Sequence, residues 1–138
     1  MASCLIVDDS DVIREISVRI VRALGLDPIE ATNAPDGVEA CADKKPGVVL
    51  LDWDLPSLGA LDFLRGVAAM DEKDRPAIVL CATENDPQQF TLAKAAGAEY
   101  HVLKPFDEEV VAAVFAEIGL PVEAPASAGD KKNDAAAS

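Results

Sequence analysis

The chain is poor in cations, cysteines and long apolar runs, and each shortage excludes a class of protein. Twelve Lys and Arg face 25 Asp and Glu in 138 residues, a formal net charge of −13. A field of that sign repels phosphate backbones and anionic membrane surfaces, so no direct DNA binding is expected. Cysteine occurs only as Cys4, Cys41 and Cys81. An odd count with no CxxC and no Cys/His spacing supports neither a disulfide framework nor a zinc site. The three are read as reduced thiols in a cytoplasmic protein. Leu5-Ile6-Val7 is stopped at once by Asp8-Asp9, and no run approaches the roughly 18 apolar residues of a membrane span. No membrane insertion and no targeting segment are expected.

What remains is half hydrophobic, enough for one ordinary core. Cys4-Leu5-Ile6-Val7 is a β-branched run without alternation, the mark of a strand buried on both faces. Ser10 then caps a helix with apolar positions Val12, Ile13, Ile16, Ile20 and Leu24, and Gly25 stops it. The same alternation continues with a weak strand over 28–31, a helix over 35–44, a strong strand over 47–51 and a helix over 61–70. A strand over 77–81, a helix over 87–96 closed by Gly97, a strand over 100–103 and a helix over 108–118 closed by Gly119 complete it. Five βα units predict a doubly wound α/β fold, a parallel sheet with helices on both faces. Residues 1–120 form the expected domain. From Pro121 onward large apolar residues are too few to offset ordering entropy, so 121–138 is expected to be a disordered tail.

In an open parallel sheet, ligands collect outside the carboxyl ends of the strands. Those ends carry Asp8 and Asp9, then Asp52 and Asp54, then Ala82-Thr83-Glu84, and finally Lys104. Carboxylates on adjacent loops repel one another, so protonation or a cation must relieve them. An oxygen-only donor set favours a hard divalent ion such as Mg²⁺, with Lys104 neutralising charge on the far side of a phosphoryl group. The acid pair Asp8-Asp9 and Asp52 each follow a buried apolar strand, where a charge without a partner costs stability. Asp54 by itself reads better as a cap or solvated loop charge, and Lys104 gains meaning only from its company.

Val7-Asp8-Asp9-Ser10, Leu51-Asp52-Trp53-Asp54-Leu55-Pro56, Glu84-Asn85-Asp86, Ala96-Gly97-Ala98 and Lys104-Pro105-Phe106 follow one another in the order and spacing of a known family. Over about residues 3–120 the chain resembles response-regulator receiver domains, and among them the CheY-like, single-domain chemotaxis regulators. The resemblance implies a flavodoxin-like, five-stranded sheet of order 2-1-3-4-5. It implies that Asp52 is the phosphoacceptor, Asp9 a direct Mg²⁺ ligand, and Asp8 an acid holding the ion mostly through water. The Asp54 backbone carbonyl would complete the protein ligands, Lys104 would pair with the phosphoryl oxygens, and the Lys104-Pro105 bond would be cis.

Three places depart from the family pattern, the third being the loop after Pro56. The switch hydroxyl belongs twenty-two residues before Lys104, where the chain has Ala82; Thr83 is one place late. Thr83 replaces it only if a bulge ends the fourth strand, because a shift of one residue points a side chain to the other face. The rotating aromatic belongs three residues before Lys104, where the chain has His101, preceded by Tyr100. A moving histidine there would couple output to pH near neutrality. The family's loop glycine appears as Gly59, followed by Ala60.

The expected function is therefore that of a stand-alone regulator of a two-component phosphorelay. A histidine kinase or phosphotransfer protein would phosphorylate it on Asp52, and it would act on a downstream protein target, as a monomer or weak dimer. Chemotaxis output and service as a phosphate sink both fit. The output surface, by resemblance, lies at the fourth helix, fifth strand and fifth helix, including Tyr100 and His101. One alternative is a pseudo-receiver, a binding module whose switch is weakened by Ala82. A remoter one reads Asp52-Trp53-Asp54 as the DxD pair of haloacid-dehalogenase-type phosphatases, although in that family the pair ends the first strand.

Overall fold

The computed structural model describes residues 2–120; the expected tail over 121–138 lies outside the described residues. Five strands and five helices alternate: β1 Ser3–Val7, α1 Asp11–Ala23, β2 Asp27–Ala31, α2 Ala34–Lys44, β3 Val48–Asp52, α3 Gly59–Ala68, β4 Ala77–Ala82, α4 Pro87–Ala95, β5 Tyr100–Leu103 and α5 Glu108–Ile118. Single 3₁₀ turns at Pro56–Leu58 and Glu72–Asp74 precede α3 and β4. All strand pairs are parallel, in the order β2-β1-β3-β4-β5. This is the doubly wound, flavodoxin-like fold that the βα alternation and the motif resemblance predict.

β3 lies at the centre of the sheet, and all five of its residues are buried. Successive strand residues feed opposite faces. Leu5, Val7, Val49, Leu51, Ile78 and Leu80 pack with Cys41 of α2, Phe63 and Val67 of α3 and Ala93 of α4. Cys4, Ile6, Val48, Leu50, Val79 and Val102 pack on the other side with Ile20 and Val21 of α1 and with Val111 and Phe115 of α5. No helix among the described residues is long and apolar enough to cross a membrane. The three cysteines are free and buried. Burial pushes the Cys41 thiol up to about 11 and the Cys81 thiol up to about 12, so both stay protonated and inert near neutral pH.

Helix ends follow the chemistry of their sequence. The Ser10 hydroxyl accepts from the Ile13 amide at 3.3 Å, and Asn33, Asp86 and Asp107 cap α2, α4 and α5 in the same way. Gly25 and Gly119 follow α1 and α5 at φ of 87° and 97°, the left-handed region that a glycine enters without cost. Two readings need correction. The apolar face of α1 is rotated from the expected one: Ile20 and Leu24 are buried as expected, together with Ser17 and Val21, but Val12 and Ile16 are exposed. The third helix begins earlier than its apolar pattern suggests, at Gly59, whose φ of −56° is ordinary. Gly59 serves close approach, since a Cβ there would stand 2.9 Å from the Leu55 Cβ. The left-handed turn falls instead on Ser57 and Leu58, at φ of 57° and 60°.

Candidate functional site

The carboxyl ends of β1, β3 and β5 bring Asp8, Asp9, Asp52 and Lys104 together. Asp52 is the last residue of β3 and Asp8 the first after β1, so both sit where buried strands meet the surface, each only 3% exposed. Lys104 follows β5, where its amide donates to the Ala82 carbonyl at 2.7 Å. Its ammonium donates to Asp52 Oδ1 at 2.8 Å and to Asp8 Oδ2 at 3.1 Å. The Lys104-Pro105 peptide is cis, as the resemblance implies. Asp52 Oδ1 also accepts from the Asp54 amide at 3.0 Å, and Asp8 Oδ1 from the Ser10 amide at 2.9 Å.

One carboxylate oxygen from each of Asp8, Asp9 and Asp52 lies within 4.8 Å of the others. Asp9 is exposed, and its carboxylate has no hydrogen-bond or ion-pair partner among the described residues. Burial pushes the Asp8 carboxyl above its usual range and the charge of Asp52 adds to this, while the Ser10 amide and Lys104 pull it back. Burial also pulls Lys104 down, but its hydrogen bond to Asp52 and the charges of Asp52 and Asp8 outweigh that and hold the ammonium above its ordinary value. Three carboxylates thus face one ammonium, with oxygen donors only. That deficit of positive charge fits a hard divalent cation such as Mg²⁺.

The acids open into a cavity of about 420 Å³ also lined by Ser10, Ile13, Asp54, Thr83 and Pro105. The Asp54 carboxylate stands outside the three-acid cluster and accepts the Thr83 hydroxyl at 3.3 Å. β4 and β5 pair without an inserted residue through Ala82 opposite Leu103, and Thr83, which follows the strand, lines the same cavity as Asp52. Ala82 is buried and has no hydroxyl to offer.

At the sheet edge, the exposed His101 ring stacks on Phe90 of α4, centroids 4.1 Å apart and planes 20° from parallel. Tyr100, its neighbour on β5, points to the opposite face and packs against the α1–α5 core. Sequence reasoning passed over Arg14. Its guanidinium donates to the Asp8 carbonyl at 2.9 Å, to Asp11 at 2.6 Å and to Glu30 at 3.2 Å. The only signal for it was a base one helical turn beyond the acid pair, a common arrangement on any helix.

The family model for the response regulator receiver domain matches residues 4–116. The chain belongs to that family. Among its relatives, chemotaxis protein CheY1 of Helicobacter pylori is 31% identical over 111 residues, covering 78% of this chain and 88% of the relative. Chemotaxis protein CheY-3 of Vibrio cholerae is 30% identical over 105 residues, covering 74% and 79%. The solved structure of chemotaxis response regulator CheY4 of Vibrio cholerae superposes with a TM-score of 0.78 at 24% identity, covering 86% of this chain and 98% of that one. The chain is thus a CheY-like receiver domain of the two-component signalling type. Its family signals rather than turning over a substrate, and the acid pair that ends β3, not β1, fits this and not the DxD phosphatase pattern.

Proposed function

We propose that this receiver accepts a phosphoryl group on Asp52 from the phosphohistidine of a histidine kinase or phosphotransfer protein. The observation that carries the reading is the Lys104 ammonium shared between Asp52 and Asp8 at the mouth of an acidic cavity. An Asp52 carboxylate oxygen forms the new bond to phosphorus, and the phosphorus–nitrogen bond of the donor breaks with its electron pair going to the imidazole. Lys104 holds a phosphoryl oxygen in place of the carboxylate oxygen it now binds, stabilising charge where it develops. Asp8, Asp9 and Asp52, with the Asp54 backbone carbonyl, would hold Mg²⁺, which when bound neutralises phosphoryl charge and lets the acids and the anion share one cavity. A water later cleaves the acyl phosphate and resets the domain.

Relatives that are chemotaxis proteins support an output by protein contact in motility control, and the weakened switch also suits a phosphate sink. The buried Ala82, with Thr83 turned to Asp54, favours a second reading, a binding module that keeps the pocket without depending on phosphorylation. Trp53 neighbours the acceptor and reports on both. Mg²⁺ followed by beryllofluoride, a phosphoryl mimic, is expected to give two saturable fluorescence changes, the second needing Asp52. Absence of both changes would leave the acidic pocket without its proposed ligands.

A further inference from the structure

We propose that Arg14 is a positioning residue that sets the affinity of the acidic pocket for its divalent cation, by fixing the peptide that carries Asp9; this rests on the Mg²⁺ reading above. Asp9 is the one exposed acid of the Asp8, Asp9 and Asp52 cluster, and its carboxylate has no partner among the described residues, so only its backbone determines where it points. The carbonyl of the Asp8–Asp9 peptide accepts Arg14 Nη1 at 2.9 Å. The same guanidinium is anchored at two other places, on Asp11 of α1 and on Glu30 of β2. A side chain 13% exposed thereby joins three segments, the loop, the helix and the neighbouring strand. On the other side the Asp8 amide donates to the Ala31 carbonyl at 3.1 Å, and Ser10 holds the Asp8 carboxylate. The loop is gripped from both flanks, and Arg14 alone grips the carbonyl of the peptide that carries the unpartnered acid.

A planar fork with several fixed donors does this, and a single ammonium does not. Groups that orient metal ligands from behind typically account for about 10- to 100-fold in affinity. Positioning and charge predict opposite signs, which makes the idea testable. Arg14 is a cation near the pocket, so on charge alone Arg14→Gln tightens Mg²⁺ and Arg14→Lys leaves it unchanged. If Arg14 positions Asp9, both variants weaken Mg²⁺, by about tenfold for Arg14→Gln and about three- to tenfold for Arg14→Lys.

The experiment is an Mg²⁺ titration of the full chain followed by Trp53 fluorescence, with circular dichroism to confirm that each variant is folded. Weaker binding in both folded variants is the expected result. Tighter binding in Arg14→Gln, or wild-type affinity in Arg14→Lys, overturns the proposal. If Arg14→Gln does not fold, Arg14→Lys decides alone. A wild-type chain that does not respond to Mg²⁺ overturns the metal reading itself, an outcome distinct from a failure of Arg14.

Discussion

The pocket beneath Lys104 and the sheet edge beside it are built to different standards. In the pocket, Asp8, Asp52 and Lys104 are nearly buried, bonded to one another and backed by Ser10, Asp54 and Arg14. On the β4–β5 side, Ala82 carries no hydroxyl, Thr83 serves Asp54, and His101, three residues before Lys104, lies exposed against Phe90. The receiving end proposed above is over-determined, whereas the side chains of Thr83 and His101 at the proposed transmitting end are held by one hydrogen bond of 3.3 Å and one ring stack. A domain of this kind can bind a phosphoryl group well while coupling that event weakly to its surface, because coupling needs an element with two arrangements that the ligand favours unequally.

The comparison breaks most sharply at the acceptor. Asp52→Asn is expected to abolish the fluorescence response to beryllofluoride; a retained response would mean that the pocket does not work through Asp52. Lys104→Met leaves two buried carboxylates without their ammonium, and is expected to lower unfolding stability in metal-free denaturant titrations by about 3 kcal/mol. Added Mg²⁺ should restore part of it. Ala82→Thr sharpens the comparison from the other side by supplying the hydroxyl that the transmitting end lacks. A charge-assisted bond to the phosphoryl mimic should tighten beryllofluoride binding by about tenfold. No change in affinity would show that a hydroxyl at 82 does not reach the mimic.

A smaller effect is expected at the rim. The Thr83 hydroxyl donates to Asp54 and so reduces the negative charge facing an incoming phosphodonor. Thr83→Val should slow phosphorylation by a small-molecule phosphodonor about threefold, the range for one exposed hydrogen bond.

Much of this was legible in the chain. Four apolar residues followed by an acid pair, and Val48 to Leu51 followed by Asp52, announce buried parallel strands ending at a site. Ser10, Asn33, Asp86 and Asp107 stand where helix caps must stand. Hydropathy misjudged α1, because Val12 and Ile16 share the helical period with Ile20 and Leu24 but fall outside the edge of the stripe that meets the sheet. It also placed α3 late, because Gly59 and Ala60 carry little apolar signal although both are buried.

By itself the sequence determined the order of strands and helices, the layered fold, and the identities of Asp8, Asp9, Asp52 and Lys104, since period, caps and motif spacing are local properties. Only the tertiary structure decided that Thr83 is bonded to Asp54, that His101 stacks on Phe90 of α4, and that Arg14 stands behind the acid loop. Those three depend on strand register and on how α1 and α4 sit against the sheet. Such contacts join residues whose separation in the chain says nothing about their distance in space.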